Sequence, residues 1–232
     1  MNRYMETKGT ESKAFIFYTR LNLSELTGIR AHNLKELITG LEVVPDSCIY
    51  HHTHKFLQQH QHVSPEPPND FAYWVGNTLS EKNLGEELAS IDIMRFNSIA
   101  DLRNEIIKTI ERCVKEKPTS QNRFANKDEA FHFIKSLSFI FATRHQAANL
   151  NEFCEALKSV TVDSIYFHIF EARLRLGKTT NDFSEWIDGC LNEPKIASAI
   201  ARLDPYTYTL EELRESIIRL VRKDIRGSNA KY

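Results

Sequence analysis

The residues best suited to acid–base or ligand-binding chemistry stand in a phrase that occurs twice. Ile-Tyr-x-His is found at residues 49–52 and again at 165–168. An imidazole takes up a proton near neutral pH, so it can act as an acid, a base or a metal ligand. The candidate binding residues are therefore Tyr50, His52, Tyr166 and His168. The competing interpretation is that each histidine is a core residue with a bonded ring N–H, because buried polar groups are normally paired.

A second candidate is a histidine-rich run in the first half of the chain. Residues 51–62 hold five of the nine histidines: His51, His52, His54, His60 and His62. On a helix, His51 and His54 are three positions apart and could share a divalent metal, the one cofactor that the sequence suggests. No HExxH motif or matched Cys/His spacing accompanies them, so a solvated polar face is the alternative. The proline-rich stretch 61–68 follows, either as a ligand cover or as a rigid connector.

The repeated phrase belongs to a longer internal repeat. Residues 14–52 align without gaps on residues 130–168, and Asn-Asp-Phe-x-x-Trp occurs at 69–74 and at 181–186. The sequence therefore predicts two diverged copies of one unit in a pseudo-twofold arrangement. We expect a flexible N-terminus at 1–13, a first unit at 14–114, a polar linker at 115–128 and a second unit at 129–226. Whether the two units share one core stays open at this point.

The elements that must position these residues are mainly helices. Alternating apolar residues predict one short strand at the start of each unit, although a helix also fits the second copy. Apolar spacing predicts helices near 33–42, after Pro45, near 84–91 and near 99–114, with counterparts in the second unit. Asp70 and Asp182 are placed to cap the helices that carry the tryptophans. The predicted fold class is mostly α, or α+β with one short strand per half.

Composition narrows the class of protein. Thirty Lys and Arg stand against thirty-one Asp and Glu in 232 residues, which gives no field that favours nucleic acid or an anionic membrane. No apolar run approaches the roughly 20 residues that a membrane span requires. The first residues lack the apolar stretch of a secretory signal, and the four cysteines show no CxxC spacing. We expect a soluble cytoplasmic protein with reduced thiols.

Three stretches resemble a bacterial and archaeal family that is known as a domain of unknown function, DUF5752. They are Leu-Thr-Gly-Ile-Arg-Ala at 26–31, Ser-Cys-Ile-Tyr-His-His-Thr-His-Lys-Phe-Leu at 47–57 and Pro-Pro-Asn-Asp-Phe-Ala-Tyr-Trp-Val at 67–75. The second copy departs from the family pattern at Arg144 and His145, where the first has Gly28 and Ile29. The resemblance covers most of the chain and implies no activity, cofactor or catalytic residue.

Two functional hypotheses follow. The leading one is a non-enzymatic binding or regulatory module that recognises a small molecule or a protein in the groove between the two units. It depends on the repeated residues, which are mainly apolar, aromatic and capping types. The alternative is a metal-dependent enzyme of the hydrolase type that uses the histidine cluster. The sequence does not indicate the ligand or the oligomeric state.

Overall fold

A computed structural model describes residues 14–55, 69–172, 174, 180–203 and 209–229. These residues form a mostly helical fold around a two-stranded antiparallel sheet, which confirms the predicted class. The first half contains β1 (Phe15–Ala31), α1 (Leu34–Val43), α2 (Asp46–Tyr50), α3 (Asp70–Tyr73), α4 (Lys82–Ala89) and α5 (Ile99–Glu116). The second half contains β2 (Phe131–Ala147), α6 (Leu150–Ser159), α7 (Val162–Tyr166), α8 (Asp182–Leu191), α9 (Pro194–Ala201) and α10 (Leu210–Asn229).

Three of these helices continue into a wider π-helical turn, at His51–Lys55 after α2, at Trp74–Thr78 after α3 and at Phe167–Glu171 after α7. Such turns are rare and often mark functional positions. The two candidate histidines, His52 and His168, lie within the first and the last of them. Each histidine is therefore held near the end of a short α-helix.

The strands are long, which corrects the prediction of one short strand per half. Each strand has 17 residues, and together they form a twisted ribbon in which Asn22 pairs with Ser138 at the centre. The register shifts between Ile16 and Tyr18 and again between Leu26 and Arg30. Gly28, at φ +82°, lies in the second irregular stretch. A bulge inserts a residue that breaks the alternation of apolar and polar side chains. A period-two pattern therefore ends at each bulge, although the strand continues beyond it.

The second helix of each half packs on the strand of the other half. α1 packs on β1 and α6 on β2, whereas α2 packs on β2 and α7 on β1. As a result, one buried apolar cluster contains side chains from both halves, including Phe17, Phe133 and the two tryptophans. The two halves therefore share one core.

The helices that carry the tryptophans begin at an asparagine, which corrects the predicted caps. The side chain of Asn69 accepts a hydrogen bond from Ala72 N, and that of Asn181 accepts one from Ser184 N. Asparagine is a strong N-cap residue because its short side chain reaches the free N–H groups of the first turn. Asp70 and Asp182 follow these caps, and their carboxylates bond to His52 and His168 instead.

The stretch predicted as a polar linker contains short 3₁₀ helices at Pro118–Asn122 and Lys127–Glu129. Between them, Ala125 N donates to the carbonyl of His32 at 2.8 Å. At its end, the carbonyl of Glu129 accepts a 2.7 Å hydrogen bond from the indole N–H of Trp74. The stretch is thus bonded to the first half. Residues 1–13 and the proline-rich stretch 61–68 lie outside the described residues.

Within the described residues, no helix has the length and apolar character needed to cross a membrane. All four cysteines are free, and Cys48 and Cys154 are buried.

Candidate functional site

The two candidate histidines bridge a helix of one half to the strand of the other. Nδ1 of His52 lies 2.7 Å from Oδ2 of Asp70, and Nε2 accepts a 3.0 Å hydrogen bond from the backbone N–H of Ile134 in β2. One partner is an aspartate that follows a helix cap, and the other is a backbone N–H on the edge of a strand 82 residues away. His52 therefore ties α3 to the free edge of β2.

His168 makes the same set of contacts on the opposite edge of the ribbon. Its Nδ1 lies 2.6 Å from Oδ2 of Asp182, and its Nε2 accepts a 2.8 Å hydrogen bond from the backbone N–H of Tyr18. Ser164 donates to the carbonyl of Tyr18 at 2.7 Å, so both backbone polar groups of that residue are satisfied. This matters because unpaired edge-strand groups invite pairing with another chain.

The bonding pattern fixes the ring tautomer in both cases. Because Nε2 accepts from a backbone N–H, it carries no hydrogen, and the single ring hydrogen lies on Nδ1 and is donated to the aspartate. Both rings are 2% exposed and packed among phenylalanines. The neighbours of His52 are Phe71, Phe131 and Phe133, and those of His168 are Phe15, Phe17 and Phe183. A ligand at either ring would have to displace an existing hydrogen bond.

Tyr50 belongs to a buried polar group that joins the two halves. Its hydroxyl donates to Oε1 of Glu171, whose Oε2 lies 2.5 Å from the guanidinium of Arg20. The Arg20 guanidinium carbon also lies 4.7 Å from the centre of the Tyr50 ring, in a cation–π contact. Burial first, and the Glu171 carboxylate second, raise the pKa of Tyr50 well above its ordinary value. Tyr50 is therefore a hydrogen-bond donor at neutral pH.

Tyr166 adjoins this group, since hydrogen bonding between its hydroxyl and that of Tyr50 affects the pKa of both residues. Its hydroxyl donates a 2.6 Å hydrogen bond to the carbonyl of His54, and its ring stacks on Phe170. Burial raises its pKa well above the ordinary value, with smaller contributions from Tyr50 and Glu171. The hydroxyl holds the π-helical turn after α2 in place.

The two candidate metal ligands, His51 and His54, bond to different neighbours. Nδ1 of His51 lies 3.1 Å from the hydroxyl of Ser136, and Nδ1 of His54 lies 2.9 Å from that of Thr53. Burial, with a smaller contribution from Arg20, lowers the pKa of His54 to about 3. Across the part of the chain that the structure describes, no three His, Cys, Asp or Glu side chains are grouped to hold a metal ion. His60 and His62 lie outside that part.

A cleft of about 380 Å³ opens beside the Tyr50 group, where α2 and the π-helical turn after α7 meet the face of the ribbon that carries Arg20 and Ser138. Its lining residues are Arg20, Asp46, Ser47, Tyr50, Ile99, Ser136, Ser138, Ile140, Glu171 and Leu174. Of the predicted binding residues, only Tyr50 lies in this lining. Arg20 and Glu171 were missed because nothing in the local sequence indicates that they meet across 151 residues. One signal was present: the shift of 116 residues matches Arg20 with Ser136, an unlike pair within a well-matched stretch.

A second cleft, of about 410 Å³, lies beside α1 and contains none of the predicted residues. Two polar side chains of this cleft, Asn33 and Glu36, form hydrogen bonds at the N-terminus of α1. The Asn33 side chain accepts from Glu36 N at 2.9 Å, and the Glu36 carboxylate accepts from His32 N at 2.8 Å. We therefore take the cleft beside Tyr50 as the candidate site.

Comparison with known proteins gives two matches. The model of a family described as "Family of unknown function (DUF5752)" matches residues 12–222. A solved structure described as "The structure of OrfY from Thermoproteus tenax" is similar in fold, with a TM-score of 0.75 and 28% sequence identity. The similarity covers 91% of this chain and 95% of that one. A comparison with curated proteins gives no match.

Proposed function

Because the chain belongs to the DUF5752 family, whose description names no activity, we propose a function from the geometry of the cleft. The protein is a non-enzymatic binding module that takes up a small, polar, uncharged molecule between its two halves. The observation that carries this proposal is the cleft of about 380 Å³ beside Tyr50, lined by both strands and by helices of both halves. Sites of this kind, concave and partly apolar with a few fixed polar groups, are the usual form of small-molecule sites.

The charges around the cleft support an uncharged ligand. Arg20 pairs with Glu171 at 2.5 Å, and Asp46 pairs with Arg103 at 2.7 Å, so each charged side chain of the lining has an opposite charge beside it. A charged ligand would have to compete with one of these pairs. A neutral molecule with several donors and acceptors would instead bond to the hydroxyl groups of the lining.

Besides Tyr50, the lining contains three hydroxyl-bearing residues on two elements, Ser47 of α2 and Ser136 and Ser138 of β2. The apolar part of the lining is Ile99, Ile140 and Leu174, which suits a ligand with an apolar face. Ser136 also contacts His51, and Ser138 contacts Asn22, so their hydroxyl orientations are constrained before a ligand arrives. Such preorganisation lowers the entropy cost of binding.

We also propose that the chain consists of two diverged copies related by a pseudo-twofold axis through the Asn22–Ser138 pair. Those two residues are matched by the shift of 116, and the strand register runs symmetrically away from them. Matched contacts also occur at Arg103 with the carbonyl of Leu41 and at Arg214 with that of Leu157. The proposal divides the chain at 14–114 and 129–226, with 115–128 as the connection. The cleft then lies where the two copies differ.

No contact among the described residues favours the metal-dependent hydrolase over the binding module. The hydrolase alternative stays a prediction, because His60 and His62 lie outside the residues that the structure describes. Metal analysis of the untagged protein tests it directly: stoichiometric bound zinc or nickel would support the hydrolase, and its removal should then lower the melting temperature.

Ligand-observed NMR tests the binding proposal. We would use two sets of small probes of matched size, neutral polyols and amides in one and carboxylates and phosphates in the other. Ser47 is half-buried in the lining, so Ser47→Leu should fill the cleft without disturbing the core. Ser159→Leu, at the exposed end of α6, is the matched control. We expect neutral probes to bind the wild type and the control, and not Ser47→Leu; binding of neither set, or equal binding to both variants, would contradict the proposal.

A further inference from the structure

The outer face of the β-ribbon is apolar and uncovered by any described residue. Leu21 and Leu23 of β1 lie opposite Phe139 and Leu137 of β2, and Phe141 extends the same row. Their exposed fractions run from 40% for Leu137 to 58% for Leu21. Five large apolar side chains thus lie together on one surface, although single exposed apolar residues are ordinary. A contiguous patch of this kind marks an interaction surface.

The inner face of the same ribbon carries mainly polar residues. Across the centre, Arg20 pairs with Ile140, Asn22 with Ser138 and Ser24 with Ser136. An antiparallel sheet with one wet face normally turns its apolar side toward the core and its polar side toward water. In the central part of this ribbon, the apolar side chains lie on the exposed outer face and the polar side chains lie mainly on the inner face. The exposed row is therefore best explained by a partner that covers it.

The charges at one end of the row indicate what kind of partner fits. Glu25 and Lys135 are a cross-strand pair, 3.0 Å apart, on the same face as the leucines. The opposite end carries Thr19 and Phe141 and no charge. A second copy turned by a twofold axis along the ribbon places β1 over β2 with like ends together. Glu25 of each copy then meets Lys135 of the other, and Leu21 meets Phe139.

A twofold axis across the ribbon gives a poorer match. It would place the Glu25–Lys135 pair of one copy over Thr19 and Phe141 of the other. That arrangement removes two charges from water without new partners, which is costly. The lengthwise arrangement keeps opposite charges in contact and matches apolar side chains to apolar side chains. It is the self-complementary, isologous contact of a twofold dimer.

We propose that this face binds a second copy of the chain, so that the protein is a homodimer joined by two stacked ribbons around a lengthwise twofold axis. The ribbon edges carry the hydrogen bonds to His52 and His168 and are not needed for the contact. The dimer is therefore formed by face-to-face packing and not by strand addition. Because the cleft beside Tyr50 lies on the inner face, the dimer leaves that cleft open.

Sedimentation equilibrium of the full chain measures the dimer directly. We expect a dimer for the wild type and a dissociation constant at least about a hundred-fold higher for Leu23→Glu, because a carboxylate in the centre of the contact would lose its water. Val43→Glu is the matched control, since Val43 is 64% exposed on α1, away from the ribbon face. A wild type that stays monomeric, or that sediments with neutral phospholipid vesicles as a monomer, would overturn the proposal. A Leu23→Glu dimer as tight as that of the control would do so as well.

A charge swap tests the direction of the twofold axis. Glu25→Lys places only positive charge at that end of the face, and Lys135→Glu places only negative charge there. Each variant alone should dimerise more weakly than the wild type, and an equal mixture should form a heterodimer that native mass spectrometry resolves from either homodimer. Circular dichroism checks that both variants keep the helical fold. A mixture that gives only the statistical proportion of heterodimer would overturn the lengthwise arrangement.

Discussion

His52 and Asp70 are joined by a 2.7 Å hydrogen bond between Nδ1 and Oδ2, and this bond orients the ring so that Nε2 receives the N–H of Ile134. We predict that His52→Leu lowers the free energy of unfolding by about 1–3 kcal/mol, because it leaves the partly buried N–H of Ile134 without an acceptor. His168→Leu should cost as much at the N–H of Tyr18. Urea denaturation followed by circular dichroism measures both changes.

The aspartates provide a graded comparison. The side chain of Asp182 is 12% exposed and that of Asp70 is 40% exposed, so Asp182→Ala should be the more destabilising of the two substitutions. His145→Leu, on a half-buried histidine of β2, is the control and should change stability by less than about 0.5 kcal/mol. If His52→Leu behaves like this control, the bridging role is wrong.

The sequence predicted the helices well and their tertiary partners poorly, for physical reasons. Apolar spacing and Pro45 placed α1 and α2 to within a few residues, since both signals are local. The burial of His52 agrees with the interpretation of each repeated histidine as a core residue with a bonded ring N–H. The role of Asp70 could not follow, because Asn69 and Asp70 are both good caps. Asn69 caps the helix and Asp70 binds a histidine ring, and this difference depends on the position of His52, 18 residues away from Asp70.

The candidate cleft could not be predicted from local sequence patterns either, because its residues are far apart in the sequence. Arg20 and Glu171 are brought together only because α7 packs on β1, the strand of the other half. The cleft beside Tyr50 lies between the two halves, and its use as a binding site stays a prediction. The charged residues beside Tyr50, Arg20 and Glu171, could be identified only from the three-dimensional structure.

The second prediction concerns the buried tyrosines. Burial raises the pKa of both Tyr50 and Tyr166 in the folded protein, whereas the unfolded chain ionises near pH 10. The unfolded state therefore loses these protons first, and stability falls as pH rises above 10, by about 1.4 kcal/mol per pH unit for each group. In spectrophotometric titration, Tyr50→Phe and Tyr166→Phe should leave the number of tyrosines that ionise before unfolding unchanged. A loss of one ionising tyrosine in either variant would contradict the assignment.

The third prediction concerns His54. Its pKa is about 3 in the folded protein and 6.5 as an ordinary value, because burial and Arg20 disfavour the charged ring. Between these values the unfolded state binds the proton more readily, so stability is complete above pH 6.5 and falls toward pH 3 by about 1.4 kcal/mol per pH unit. His54→Phe replaces the imidazole by an apolar ring and removes the titrating group. The variant should lose stability less steeply than the wild type in denaturation series between pH 6.5 and 4; parallel curves would contradict the prediction.

The fourth prediction concerns the contact between Gly40 in α1 and the ring of Phe133 in β2. A Cβ atom added at Gly40 would overlap the ring edge, and that ring is completely buried. Gly40→Ala gains about 1 kcal/mol of helix propensity but forces an overpacked core, so we expect a net loss of about 1–2 kcal/mol in the free energy of unfolding. Gly189→Ala is the matched control, because Gly189 is exposed in α8 with open space around it, and it should gain about 0.5–1 kcal/mol. Adding Phe133→Leu to Gly40→Ala should cost less than the sum of the two single changes, since the smaller side chain relieves the overlap. Equal stabilisation by the two alanine substitutions would show that α1 can move away from the ribbon, and that the contact does not fix the helix on the strand of the other half.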